Sequence, residues 1–354
     1  MATHSARPVA FALALMMGAV ALAPAGASAT APAATTDHEH RTHDGHDSND
    51  HRLTGVVTFM RQDEAGHWQT WVATADLRRQ RQLTGEDANS GWPVLAPHRP
   101  LIAFDTDRTD PDPTDALAVN DIFVVRADGN GLRRITDSVG VSSDPGWSPS
   151  GRMIAMSADR GDYPTSQGIY VARSDGTRLR RLTTLPEGAG VDTAPRFSPS
   201  GRHLVFTRYQ EVEGQELGAL FVVSIRGNHE RQLTPFSLNA GDATWSPDGR
   251  TLAFEAFPDP GSRGDIFTVG ADGRHLRNVT RNDPRFSGSA DPVWSPDGRQ
   301  IMFLSGTRVT EDVGLTEGLA VMTRTGRDRR YVAEPAAEHQ PDWRVYGHRH
   351  DPHR

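Results

Sequence analysis

Residues 245–250 read Trp245-Ser-Pro-Asp-Gly-Arg250, and versions of this block recur along most of the chain. Four copies keep the full pattern and two are degenerate. The six copies begin 48 to 52 residues apart, at Leu95, Trp147, Phe197, Trp245, Trp294 and Trp343. A repeat of this length is the sequence signature of a solenoid or a propeller.

A second block, Arg-x-Leu-Thr, alternates with the first. Its six copies end at Thr84, Thr136, Thr183, Thr234, Thr280 and, in a weak form, Val332. Two short apolar stretches lie between the blocks, such as Leu252-Ala-Phe254 and Ile266-Phe-Thr-Val269. A Pro-Asp-Gly turn precedes the first stretch and an Asp-Gly turn follows the second. Each repeat therefore predicts four short strands, which is one propeller blade.

The two ends of the repeat region complement each other. It begins with second-, third- and fourth-strand material between Gly55 and Thr84, and it ends with a lone first strand at Pro341-Asp-Trp343. We therefore predict an all-β fold, a six-bladed β-propeller over residues 53–346, closed by pairing of residues 55–61 with 340–344. Residues 67–84 lack glycine and proline and could form a helix, but the repeat register favours strands.

Composition narrows the class of protein. The 354 residues include 34 Gly and 24 Pro, which suits many strands joined by tight turns. No cysteine occurs, so disulfides, thiolate metal sites and a cysteine nucleophile are excluded. A net charge of -7 argues against nucleic acid as a partner.

The N-terminal residues have the pattern of an export signal. Arg7 precedes an apolar run from Val9 to Ala25, and Ala27-Ser-Ala29 offers a cleavage site. Residues 1–29 are thus predicted to be a signal peptide, and the protein to be secreted or periplasmic, in the cell envelope. The apolar run of about 17 residues is short for a spanning helix, so we expect no membrane span after cleavage; an uncleaved anchor is the alternative.

Both flanks of the propeller are rich in histidine. Residues 30–52 have almost no apolar side chains after the Ala/Thr/Pro stretch, and we expect them to be a disordered linker with a His-rich segment. Residues 347–354 form a His-rich C-terminal tail. We expect the protein to be a monomer.

The repeat resembles a known family. The order Arg231-Gln-Leu-Thr234, Trp245-Ser-Pro-Asp-Gly-Arg250, Leu252-Ala-Phe254 is similar to the TolB-type six-bladed propeller repeat, and the resemblance covers residues 53–345. The same repeats occur in the propellers of prolyl-peptidase-type enzymes and of oligogalacturonate lyases. TolB itself has an α/β domain before its propeller, where this chain has the linker, so the resemblance implies only the propeller.

Acidic residues near the start of the first strands are the candidate ligand-binding residues. Because first strands line the channel of a propeller, we expect a cluster at the channel mouth, composed of Asp144, Asp192, Asp242, Asp291, Glu338 and His339. Such a cluster suits a metal ion or an Arg/Lys-bearing peptide. The alternative is that each Asp binds backbone of the adjacent loop or blade.

Two further regions could bind metal. The flanking histidines could bind Zn²⁺, Ni²⁺ or Cu²⁺, or could form a solubilising polar tail without metal; they are His38, His40, His43, His46, His51, His348, His350 and His353. The segment Asp105–Asp115 holds five Asp and could bind Ca²⁺, although it lacks the Gly and terminal Glu of an EF-hand loop. A solvated acidic loop is the alternative.

The repeat aromatics are predicted to pack between blades, with a ligand cage as the alternative. No Gly-x-Ser-x-Gly or His-Glu-x-x-His motif occurs. We therefore predict a non-catalytic binding scaffold for a protein or cell-envelope ligand. The ligand is expected on the face with the long loops 105–120, 158–168, 207–218, 255–264 and 305–317. A metal-dependent lyase or hydrolase with its site at the channel mouth is the alternative.

Overall fold

The computed structural model describes residues 53–85, 87–110, 120–137, 139–161, 165–259, 264–281, 287–308, 315–332 and 339–345. Within these segments the chain forms 24 β-strands and one turn of 3₁₀ helix at Phe236–Leu238. The strands make six four-stranded antiparallel sheets, all in one compact unit that starts at Thr54. None of the described segments contains a helix with the length and apolar character needed to cross a membrane.

The first three blades are numbered along the chain. Blade 1 contains Val56–Gln62 (β1), Trp68–Thr74 (β2), Gln80–Gln82 (β3) and, from the other end, His339–Arg344 (β24). Blade 2 contains Ser90–Leu95 (β4), Leu101–Thr106 (β5), Asp121–Arg126 (β6) and Arg133–Arg134 (β7). Blade 3 contains Ser142–Trp147 (β8), Met153–Ala158 (β9), Gly168–Arg173 (β10) and Arg180–Arg181 (β11).

The other three blades follow the same order. Blade 4 contains Ala189–Phe197 (β12), His203–Val212 (β13), Gln215–Ser224 (β14) and Arg231–Gln232 (β15). Blade 5 contains Ala240–Trp245 (β16), Thr251–Ala256 (β17), Asp265–Gly270 (β18) and Arg277–Asn278 (β19). Blade 6 contains Ser287–Trp294 (β20), Gln300–Arg308 (β21), Leu315–Thr323 (β22) and Arg330–Tyr331 (β23).

The six blades form a closed ring. The first strand of each repeat is the innermost, and these strands contact one another in the order β24, β4, β8, β12, β16, β20 and back to β24. Strand β24 pairs antiparallel with β1, with Val57 opposite Trp343 and Val56 opposite Arg344. The predicted propeller and its closure by the chain ends are confirmed, as is the strand assignment within 67–84.

The hydrophobic core is shared between neighbouring blades. Trp147 of blade 3 packs in one cluster with Val94 and Ile122 of blade 2 and with Ile154 of its own blade. The second strands place one large apolar side chain per blade in the interior, at Phe59, Phe104, Met156, Phe206, Phe254 and Phe303. Because each cluster needs two blades, a single blade cannot bury its own core.

The repeated threonine has a structural role. The hydroxyl oxygen of Thr280 accepts the backbone N–H of Ile266 at 2.9 Å, and its own proton is donated to the Asp265 carboxylate at 2.6 Å. The equivalent threonines of blades 1 to 4 accept the same backbone bond; they are Thr84, Thr136, Thr183 and Thr234. The Arg-x-Leu-Thr block therefore fastens the fourth strand to the third.

The two faces of the ring differ. We name the face with the Ser-Pro-Asp-Gly turns the turn face and the opposite one the loop face. The prediction of irregular loops on the loop face was wrong for 207–218, because β13 and β14 pair continuously from His203–Ser224 to Val212–Gln215. The tip is a tight turn with positive φ at Glu213 and Gly214, which sharply reverses the chain. Strands β21 and β22 likewise pair as far as Arg308 and Leu315, within the predicted loop 305–317.

Candidate functional site

A β-bulge interrupts the inner strand of every blade. Three residues before each repeat position (Leu95, Trp147, Phe197, Trp245, Trp294 and Trp343), the backbone has a positive φ between 44° and 54°, at Trp92, Asp144, Ala194, Asp242, Asp291 and Gln340. The pairing with the second strand shifts register beside each of these residues. We call these six residues the bulge ring.

The bulge leaves backbone N–H groups that need acceptors, and acidic side chains supply them. The N–H of Asp144 donates to the Asp105 carboxylate of the preceding blade at 3.3 Å, and that of Asp291 donates to Glu255 at 3.1 Å. The carboxylate of Asp291 in turn accepts both the N–H and the side-chain amide of Gln340, at 3.2 and 2.6 Å. Asp105, Glu255 and Asp291 thus each accept a backbone N–H from the following blade of the ring.

Asp242 is different, because its carboxylate accepts no hydrogen bond from the described residues. It lines a cavity instead. One oxygen from each of Asp242, Glu255 and Asp291 lies within 4.8 Å of the others, which makes them the group of three within the described segments that could hold a metal ion. Carboxylates at this spacing repel one another when all are ionised.

Burial and the repulsion between neighbouring carboxylates raise the pKa values of Asp242 and Glu255. Burial, with the charges of Asp291 and Asp144, raises the pKa of Asp242 to about 7. Burial and Asp242 raise the pKa of Glu255 well above its ordinary value. The pKa values of Asp105 and Asp144 are raised mainly by burial, and the Arg196 guanidinium opposes the rise at Asp144.

A cavity of about 370 Å³ runs from the bulge ring to the turn face. Its inner end is formed by Ala194, Asp242, Asp291 and Gln340. Its rim is formed by one proline from each of five inter-strand turns, Pro97, Pro149, Pro199, Pro247 and Pro296. Its wall includes five of the seven tryptophans, Trp92, Trp147, Trp245, Trp294 and Trp343. We call it the funnel.

The wall tryptophans also hold the blades together. The indole N–H of Trp147 donates to the Val94 carbonyl of the preceding blade at 3.2 Å, and that of Trp343 donates to the Thr54 carbonyl at 2.8 Å. Trp343 is only 3% exposed. The predicted packing between blades is therefore observed, and the same tryptophans line the funnel.

The other predicted site residues lie elsewhere. Asp192 is fully buried opposite Arg208, whose guanidinium binds both of its carboxylate oxygens at 2.6 and 2.8 Å. His339 packs edge-on against Trp68 with ring centroids 4.9 Å apart and is not part of the funnel wall. Glu338 lies outside the described residues, as do all eight flanking histidines.

The predicted calcium loop is described only in part. Asp105 is buried in β5, where it binds the bulge, whereas Asp107 accepts the backbone and side-chain N–H groups of Asn89, both at 2.8 Å. Residues 111–119 lie outside the described segments. The two acids at the start of the segment thus serve separate structural roles.

Sequence reasoning missed Glu255 and Arg196, and it assigned Asp105 to the calcium segment and not to the channel. The signal for the acids was available, because both directly follow the apolar residue of a second strand, a position where other blades have Met60, Ser157, Thr207 or Leu304. Arg196 precedes the aromatic residue of blade 4, where other blades have Val94, Gly146, Thr244, Val293 or Asp342.

The ring of six blades, closed by its own chain ends around an acid-floored channel, defines the chain as a β-propeller. A family model described as the TolB beta propeller domain matches residues 185–347. The structure of TolB from Acinetobacter baumannii superimposes with a TM-score of 0.65 and 19% identity, covering 83% of this chain and 67% of that one. Residues 185–347 thus match the TolB propeller model, and the six-bladed ring has the same fold as the propeller of TolB.

Two curated relatives match shorter stretches. A TolB homologue of Chlorobium luteolum is 33% identical over 35% of this chain and 25% of its own length. The uncharacterized peptidase YuxL of Bacillus subtilis is 31% identical over 32% of this chain and 22% of its own length. The chain thus spans about a quarter of each of these relatives, one related to TolB and the other to peptidases.

Proposed function

We propose that the protein is a non-catalytic binding module whose funnel accepts an extended, arginine-bearing segment of a protein in the cell envelope. The observation that carries this proposal is the unpaired Asp242 carboxylate at the inner end of a preformed, tryptophan-walled cavity. A guanidinium satisfies both parts of such a site, because it pairs with carboxylates and stacks on aromatic faces.

The charge around the bulge ring supports a cationic ligand. Five acidic side chains gather there, Asp105, Asp144, Asp242, Glu255 and Asp291, near the guanidinium of Arg196. A ligand cation would lower the pKa of Asp242 and stabilise its ionised form. The proline rim also supports the proposal, because fixed φ angles keep the mouth open without an entropic cost on binding.

The proposed face differs from the sequence-based expectation. The sequence predicted a partner on the loop face, whereas the funnel opens on the turn face. The prediction for the loop face stays a prediction. The TolB relationship favours a protein partner over a small metabolite. The signal-like residues 1–29 support location in the periplasm or outside the cell.

The wall tryptophans provide an assay for the ligand. We would titrate the protein with a ten-residue peptide carrying two arginines and follow tryptophan fluorescence. A twin peptide with citrulline in place of arginine keeps the shape and removes the charge. The proposal expects a saturable change with the arginine peptide and at least a tenfold weaker response, about 1.4 kcal/mol, with its twin.

Matched variants locate the binding. Thr244→Arg adds a positive charge to the funnel wall, and Thr325→Arg adds the same charge on an exposed turn of blade 6 outside it. The first should abolish peptide binding and the second should leave it intact, with both melting temperatures near wild type. Equal binding by both variants, or equal response to both peptides, contradicts the proposal.

A metal-dependent lyase or hydrolase is the second candidate, supported by the carboxylate spacing of Asp242, Glu255 and Asp291. Oxygen ligands of this kind suit Ca²⁺ or Mn²⁺. Calorimetric titration with each ion, with Asp291→Asn as the control, tests it. Tight binding that the substitution removes, together with turnover of an oligosaccharide or peptide, would favour the enzyme over the binding module.

A further inference from the structure

The funnel has a potential occupant in the same chain. The last described residues, Arg344 and Val345, both line the cavity, and Val345 is 46% exposed. Residues 346–354 follow Val345 in the sequence. They read Tyr346-Gly-His-Arg-His-Asp-Pro-His-Arg354, with two arginines, three histidines and one acid.

We propose that the segment 346–354 binds in the funnel of its own chain and competes with external ligands. This inference rests on the proposed function, since it assigns a regulator to the same site. The segment carries the chemistry that the site selects, because Arg349 can pair with the unpaired Asp242 while the tryptophan side chains of the wall contact its stem.

The distances permit this arrangement. The inner strand runs five residues from Asp242 to the rim at Pro247, a depth of roughly 16 Å at the rise of a β-strand. Arg349 is four Cα–Cα steps beyond Val345, and these steps span up to about 14 Å before the long side chain is added.

Attachment makes a weak contact effective. A tethered segment this short has an effective concentration on the order of 1 mM at its site. If the free segment binds with a Kd of ~0.1 mM, the tether weakens every competing ligand by about tenfold. As a consequence, only partners that bind the funnel tightly enough to displace the segment would occupy it.

The deciding experiment compares the full chain with a chain that ends at Val345. Both keep strand β24 and hence the ring closure. The probe is the arginine peptide described above, read by tryptophan fluorescence. We expect the shortened chain to bind it about tenfold more tightly than the full chain. The double variant Arg349→Gln, Arg354→Gln of the full chain should bind like the shortened chain.

The outcomes separate the two proposals. If the full and shortened chains bind the arginine peptide with the same Kd, the competing segment is refuted and the proposed function stands. If the shortened chain binds no arginine peptide, both proposals are refuted. A synthetic peptide of residues 345–354 should also bind the shortened chain, and it should fail to bind its Thr244→Arg variant.

The absence of cysteine allows a direct second measurement. Thr244→Cys is combined in turn with His348→Cys, His350→Cys and His353→Cys, and the thiols are oxidised under dilute conditions. A disulfide forms only when the two sulfur-bearing carbons approach to about 4 Å. Binding of the segment in the funnel should bring one of the three positions this close to residue 244, so we expect an intramolecular disulfide in at least one pair. Glu213→Cys on the loop face is the matched control. No bridge at position 244, or bridges formed equally at 213, would refute the proposal.

Discussion

Replacing Asp242 by Asn should make the protein more stable at pH 8 and leave its stability unchanged at acidic pH. The substitution keeps the shape of the side chain and removes a carboxylate that repels Glu255 and Asp291. Asparagine also tolerates the positive φ of 44° at this position, so the bulge is not strained.

The direction of this stability change follows from how many protons the folded and unfolded states bind. The pKa of Asp242 is about 7 in the folded protein, against an ordinary value of 3.8. Between these two pH values the folded state binds a proton that the unfolded state does not, so wild-type stability falls as pH rises through this window. Each pH unit in this window lowers the free energy of unfolding by at most ~1.4 kcal/mol. Because Asp242 borders the open funnel, we expect a gain of about 1–2 kcal/mol for Asp242→Asn at pH 8.

The assay is thermal unfolding followed by circular dichroism in the presence of a chelator, at pH 8 and pH 4.5. A gain of this size raises Tm by about 2–6 °C for a domain of this length. Asp248→Asn is the control in the same blade, because hydrogen bonds from Ser246 and Arg250 lower the pKa of Asp248. That variant should lose stability at pH 8. A lower Tm for Asp242→Asn at pH 8, or the same change at both pH values, would refute the reasoning.

Three further predictions concern the scaffold, each checked by urea unfolding. Trp343→Ala should cost about 3–5 kcal/mol, because the 3% exposed ring and its bond to Thr54 close the propeller; a loss under about 1 kcal/mol would contradict the closure. Gly176→Ala should cost more than Gly129→Ala by at least ~1 kcal/mol, because an added carbon would lie 2.3 Å from the Ile135 carbonyl oxygen of the preceding blade, whereas nothing lies within 4 Å at Gly129; equal losses would show that the blades do not approach there. Arg208→Met should cost about 3–5 kcal/mol by leaving Asp192 buried without its partner, and adding Asp192→Asn should recover part of that loss; no recovery would mean that packing, not charge, is lost.

The repeat made most of the fold predictable. Its spacing determines the number of blades, and the partial repeats at Gly55–Thr84 and Pro341–Trp343 predict the closure. The hairpin at 207–218 escaped prediction because Glu213-Gly214 forms a two-residue turn that lets the strands pair to their ends. A turn this short leaves little mark on the hydrophobic pattern.

The site was less predictable because it depends on the bulge ring. A bulge re-aims side chains, so residue spacing along the inner strand no longer predicts which residues share a face. Asp192 lies two residues before the bulge at Ala194 and stays in the regular ladder opposite Arg208. Asp291 sits in the bulge itself and reaches the funnel. Proline follows five of the six bulge residues, and that pattern is a usable signal for further propellers of this type.

The proposed function requires that a cationic segment binds in the funnel on the turn face. The most direct measurement uses the arginine peptide with a photo-reactive group at one end, irradiated with the full protein and mapped by mass spectrometry. We predict adducts at the funnel rim, on Pro97, His98 or Pro247. Excess unlabelled peptide should suppress these adducts. Adducts confined to the loop face, such as the hairpin tip at 210–216, would contradict it.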